Sequence, residues 1–242
     1  MVQHKYFGDS RDYFKYDLIK TVLENTALRH YVFIPMLTEH RDDAEGKVSP
    51  KDRGDKSPDL LHFIRSCDGK SLKHWRSWVA RFAESYSTVE PVDETYFSDE
   101  GRETYWKRYD NSLSTADALV FVDPDTGLET GGPSYLRKMG REKYILNPEL
   151  RTLIEGLDQS SVLMLYQHLP PNKHLHRQSV DKKLAQVCSV SPLAKVCAYR
   201  EDDLAFLFVS KSESRHQEIR NVLVDYDAGS AHAYKSIHAC SA

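Results

Sequence analysis

Apolar positions along the chain fall into two kinds of run: short unbroken blocks, and longer stretches where apolar residues recur every three or four positions. The second kind predicts amphipathic helices and the first predicts strands buried on both faces. Phe14, Leu18 and Val22 recur at four-residue steps after Asp9 and Ser10. This predicts a helix ending near Asn25, capped by Ser10 or Asp9, with Asp12 at the positive end of its dipole. Tyr31 to Leu37 reads as a buried strand. Thr38 to Lys56 is charged and rich in Gly, Pro and Asp, which predicts a long surface loop. Ser57-Pro58 opens a helix to about Cys67. Leu72, Trp75, Val79, Phe82 and Tyr86 mark a second helix over 71–86. Thr95 to Phe97 is read as a short strand and Glu100 to Ser112 as a helix.

Ala118 to Val122 is the clearest strand, stopped by Asp123-Pro124-Asp125-Thr126-Gly127. Asn147-Pro148 caps a helix to about Leu157. Ser161 to Tyr166 is the next apolar strand, and a helix follows from about Leu175 to Val187. Val196 to Arg200 and Leu204 to Lys211 are joined by three residues, which forces an antiparallel pair. Ser214 to Tyr226 is the last helix, and the small, polar residues from Asp227 read as a tail.

Apolar strands alternating with amphipathic helices imply an α/β fold: a mainly parallel sheet of about seven strands, helices on both faces, and a C-terminal antiparallel pair. The expected organisation is one domain over 1–226, with 38–56 as its loop, 57–115 as a helical insertion, and 227–242 as the tail. The 242 residues, 40% hydrophobic and 29% charged, suit a globular domain. Cys67, Cys188, Cys197 and Cys240 form no C-x-x-C pair, and no apolar run approaches the length of a membrane helix. A cytoplasmic protein with no membrane partner is expected. The net charge of −3 means that any nucleic-acid site must be local.

Three motifs carry candidate chemistry. Ligands of such sheets sit at the carboxyl ends of the strands, and Asp123-Pro124-Asp125-Thr126-Gly127-Leu128-Glu129 lies at one of these ends. Its two carboxylates could bind a metal, hold a ligand amine or act as a base, or they could merely shape the turn. Tyr166-Gln167-His168 follows the next strand and leads into Lys173, His174, His176 and Arg177. Gln167 and His168 can face a base edge, and Lys173 and Arg177 a phosphate. His174 and His176 would need a third ligand from elsewhere to hold zinc, and no metal site is assigned. The third motif, Gly8-Asp9-Ser10-Arg11-Asp12-Tyr13-Phe14-Lys15-Tyr16, puts Asp12, Lys15 and Tyr16 on adjoining helix positions.

That third motif resembles the amino terminus of the large-subunit ribosomal RNA adenine-N6 methyltransferases of the RlmJ type, whose helix carries G-N-x-x-D-x-x-K-H. Gly8, Asp12 and Lys15 match, Asp9 stands for Asn, and Tyr16 for His. Asp123-Pro124 falls where that family has D-P-P-Y, although Asp125-Thr126 replaces the stacking aromatic. The turn after the first strand also lacks the glycines of the Rossmann-like methyltransferase fold. The motifs K-Y-x-G-D-x-x-D-x-x-K-Y, D-P-D-x-G-L and Y-Q-H are similar to those of uncharacterised bacterial and phage proteins. The resemblance implies a Rossmann-like sandwich and S-adenosylmethionine as cofactor, bordered by Gly8, Asp9, Asp12, Lys15 and Tyr16. It also implies action on a nucleic acid or nucleotide base. Asp123 and Asp125 would act as the catalytic pair. Gln167, His168, Lys173 and Arg177 would face substrate, which Arg137, Lys138, Arg141 and Lys143 would help attract. Two alternatives stand beside this reading. One is a metal-dependent hydrolase or nuclease of defence using Asp123, Asp125 and Glu129; the other is a degenerate nucleic-acid-binding module.

Overall fold

In the computed structural model, residues 10–38, 57–67, 77, 79–82, 87–88, 96–229 and 235–239 are described. The apolar blocks form the strands of one sheet: β1 (His30–Pro35), β2 (Ser87–Thr88), β3 (Ala118–Asp123), β6 (Val162–His168), β7 (Lys195–Glu201), β8 (Leu204–Ser210) and β9 (Lys235–Ala239). Between β3 and β6 lies a separate two-stranded ribbon, β4 (Gly127–Leu128) and β5 (Tyr144–Ile145). The main sheet runs in the order β2-β1-β3-β6-β8-β7-β9. The pairings β2–β1, β1–β3 and β3–β6 are parallel; β6–β8, β8–β7 and β7–β9 are antiparallel. The sheet is therefore mixed: three pairings are parallel and three antiparallel, with β8 and β9 running against the other five strands. β8 belongs to the expected antiparallel pair, and Lys235–Ala239, expected to lie in a polar tail, adds a second reversed strand at the edge beside β7.

Helices are α1 (Ser10–Glu24), α2 (Pro58–Ser66), α3 (Arg102–Lys107), α4 (Asp110–Leu113), α5 (Pro133–Met139), α6 (Asn147–Gly156), α7 (His176–Val190) and α8 (Glu213–Gly229). One face of the sheet is aromatic, with Tyr31, Phe33, Phe121, Tyr166, Tyr199, Phe206 and Phe208 packed against α1, α2 and α8. The other face is aliphatic, and α3, α4, α6 and α7 cover it. Both faces are filled, which is why β3, β6 and β8 read as unbroken apolar runs.

Several local expectations are revised. The helix expected over 100–112 breaks into α3 and α4 around Arg108 and Tyr109. Tyr96 and Phe97 form no strand; Phe97 contributes one backbone N–H to the Leu37 carbonyl, at 2.6 Å. Asn147 does not cap α6. Its first residue is Asn147, and the Glu149 carboxylate reaches back to the Leu146 N–H at 2.7 Å. The same carboxylate takes two bonds from Arg102, at 2.5 and 2.7 Å, which joins α3 to α6. Ser57 caps α2 as expected, accepting from the Leu60 N–H. The loop over 39–56 and most of the helix expected over 71–86 lie outside the described residues.

Candidate active site

Parallel registry sets the site. Pro35 of β1 lies level with Asp123 of β3, and Val122 with Leu165 of β6, so Asp123, the last residue of β3, lies beside Tyr166 of β6. Alternation puts Asp123 on the aromatic face with Phe121, under the first turns of α1. There α1 buries polar residues on its inner side: Asp12, Lys15 and Asp17 are all buried. The Lys15 ammonium donates to Asp123 Oδ2 at 2.8 Å and to Asp12 Oδ1 at 3.2 Å, and lies 4.6 Å from the centre of the Tyr166 ring.

One buried cation thus stands between two carboxylates. Burial works against the Lys15 charge, but Asp123 and then Asp12 outweigh it and hold its ammonium above the usual lysine range. Burial pushes the Asp123 carboxyl up, and Lys15 offsets this only in part because Asp12 repels a second negative charge. Among the described residues, Asp123 Oδ1 is buried with no hydrogen-bond partner, as is Asp125 Oδ1; Thr38 Oγ1, after β1, and the Tyr166 hydroxyl are in the same condition. Unpartnered buried oxygens are costly and uncommon, and these four cluster by sequence at the carboxyl ends of β1, β3 and β6.

The segment after β3 is held by main-chain bonds and by Gln167. Thr126 N–H donates to the Lys143 carbonyl and His168 N–H to the Thr126 carbonyl. Gln167 Oε1 accepts from Leu128 N–H at 3.0 Å, and its Nε2 donates to the carbonyls of Thr126 and His168. Gly127 has φ +134°, and a Cβ there would come within 2.4 Å of Gln167 Oε1. Gln167, expected to face substrate, has its amide engaged at both ends with the loop that follows β3. Asp125 Oδ2 faces the Lys143 ammonium at 3.8 Å. Glu129 turns away and takes two bonds from Asn147, at 2.5 and 3.1 Å.

His168 does point out at the strand ends, where it meets Arg11 of the third motif and Asp203, which lies outside all three motifs. Antiparallel pairing sets Leu204 opposite His168, so the β7–β8 turn brings Asp203 alongside. Asp203 Oδ2 takes 2.8 Å and 3.2 Å contacts from Arg11 of α1 and from His168. The hydrogen bond from His168 and the Arg11 charge, working against burial, hold the Asp203 carboxyl well below the usual range. Short strand loops make this neighbourhood readable in principle: a hairpin antiparallel to the Y-Q-H strand must turn close to the histidine.

Of the other candidates, Tyr16 is buried against Phe82, ring centres 4.5 Å apart, and serves the core. His176 Nε2 is spent on the Pro170 carbonyl at 2.8 Å. Lys173 and Arg177 are exposed on the loop and first turn after β6. Gly8 and Asp9 lie outside the described residues. Among the described residues, no group of three His, Cys, Asp or Glu side chains is arranged to hold a metal ion. No helix there is long and apolar enough to cross a membrane. No protein-family model matches the chain, and no curated protein matches it.

Proposed function

We propose that the chain is an enzyme of Rossmann-like, methyltransferase type that acts on an amine of a nucleotide base, in a nucleic acid or as a nucleotide. The carrying observation is Asp123: one carboxylate oxygen is fixed by Lys15, and the other is buried, unpartnered and placed at the carboxyl end of β3. The strand order supports the fold assignment. A reversed strand, β8, is inserted between β6 and β7, which run in the same direction. The resemblance of the Lys15 and Asp123 motifs to the adenine-N6 methyltransferases points the same way.

In this reading Asp123 Oδ1 accepts a hydrogen bond from the substrate amine. Lys15 and Asp12 fix the rotamer of Asp123 and so position that oxygen. When the amine nitrogen gains a methyl group and loses a proton, the proton passes to Asp123, whose carboxyl burial already pushes up. S-adenosylmethionine would supply the methyl group, its sulfonium S–CH3 bond breaking to leave a neutral thioether. The site's donor set suits such a ligand in part. Thr38 and Asp125 offer unpartnered oxygens to its amino groups, while the turn after β1 offers little backbone: Tyr105 Oη occupies the Pro35 carbonyl, and Phe97 N–H the Leu37 carbonyl. Side chains rather than a glycine turn would then hold the cofactor. Titration calorimetry with S-adenosylmethionine tests the assignment. Saturable heat is expected, and no heat at millimolar ligand would overturn it.

A further inference from the structure

Between the ribbon strands β4 and β5 the chain forms a flap around α5, on a small core of Leu136, Tyr144 and Leu146. Its helix α5 turns Leu136 inward and leaves Tyr135, Arg137, Lys138 and Met139 exposed, with Tyr135 at 45%. Among the described residues Arg137 hydrogen-bonds only to Ser134, at 3.4 Å, and no carboxylate pairs with Arg137 or Lys138. Two unneutralised cations beside an exposed aromatic ring oppose the sign of a chain whose net charge is −3. The flap also reaches the site, since Lys143 at its far end faces Asp125. Exposed Lys173 and Arg177 lie on the turn and helix that follow the neighbouring strand β6.

Asp123 is only 3% exposed. A base stacked and paired in a duplex cannot bring its amine to so deep an oxygen; an unpaired base can. A ring that stacks and cations that meet phosphates are the usual grip on a single strand. We infer that the outer face of this flap, Tyr135, Arg137 and Lys138, holds a single strand of nucleic acid while one unpaired base enters toward Asp123. The inference rests on the reading of Asp123 given above and adds the partner and its path.

Fluorescence anisotropy with labelled single-stranded RNA and DNA of about 20 nucleotides, and with the matching duplexes, tests it. Either or both single strands should bind more tightly than duplex, with affinity falling as salt rises. Replacing Arg137→Glu and Lys138→Glu together should weaken binding about tenfold and flatten the log–log salt slope by about 1.4, the amount for two phosphate contacts. Circular dichroism checks the fold, and the Arg137→Gln, Lys138→Gln pair replaces the reversal if it is lost. Asp123→Asn should still bind the strand. Wild-type protein that binds no single strand, binds duplex equally well, or is matched by the charge-reversed variant would overturn the inference. Retained strand binding with no cofactor heat would instead count against the methyl-transfer reading alone.

Discussion

Replacing Lys15 by Met removes the cation that bridges Asp12 and Asp123 in a buried site. Breaking such an arrangement costs about 3 kcal/mol or more, so Lys15→Met should lower the urea midpoint sharply. Adding Asp123→Asn removes one stranded charge, and the double variant should be more stable than Lys15→Met alone. Strict additivity of the two changes would show that the residues do not act as a unit. This cluster was half legible in the sequence. The D-x-x-K spacing and the strand-end aspartate each marked a candidate, because one rests on helix periodicity and the other on strand termination. Their contact bridges residues 108 positions apart, which no local pattern encodes. Gln167 shows the opposite case. A polar residue after a strand reads like a ligand contact, but its amide is spent on the loop it braces.

At the scale of elements, α1 is fastened over the strand ends at two points, Lys15 on Asp123 and Arg11 on Asp203. The second is half-exposed and weak, about 1 kcal/mol or less. Its pH dependence has a definite sign. The native Asp203 carboxyl is held below the ordinary aspartate value of 3.8, so its contribution is complete above that pH and is lost as pH falls toward the lower native value. Asp203→Asn should therefore be slightly less stable than wild type at neutral pH, and the gap should close in strong acid. A gap that widens in acid would contradict the pairing.

The loop after β3 makes a separate prediction. Gly127→Ala places a Cβ against Gln167 at positive φ and should cost about 2 kcal/mol, read by thermal or urea unfolding. An unchanged midpoint would mean that Gln167 is not locked. Apolar blocks located β1, β3, β6 and the β7–β8 hairpin, since strands buried on both faces must be apolar throughout. They did not locate β9, whose residues are mostly half-buried and carry no alternation. Nor did they show the break between α3 and α4, where the aromatics Tyr105, Trp106 and Tyr109 keep packing across the interruption.

For the whole molecule, the sheet is parallel on one side and antiparallel on the other. The candidate site lies on the parallel side, where β1, β3 and β6 all end at the same edge. The α/β class was legible because helices and apolar strands alternate; the balance of strand directions was not, because β9 comes from residues with no strand signal. The acidic net charge also divides. Buried Asp12, Asp123 and Asp125 face the site, and the exposed cations of the flap lie around it. Calorimetric titration of the full chain with S-adenosylmethionine tests the central assignment most directly. The account predicts saturable heat that is weakened or lost in Asp123→Asn; no heat at millimolar cofactor, or identical heat in the variant, would contradict it.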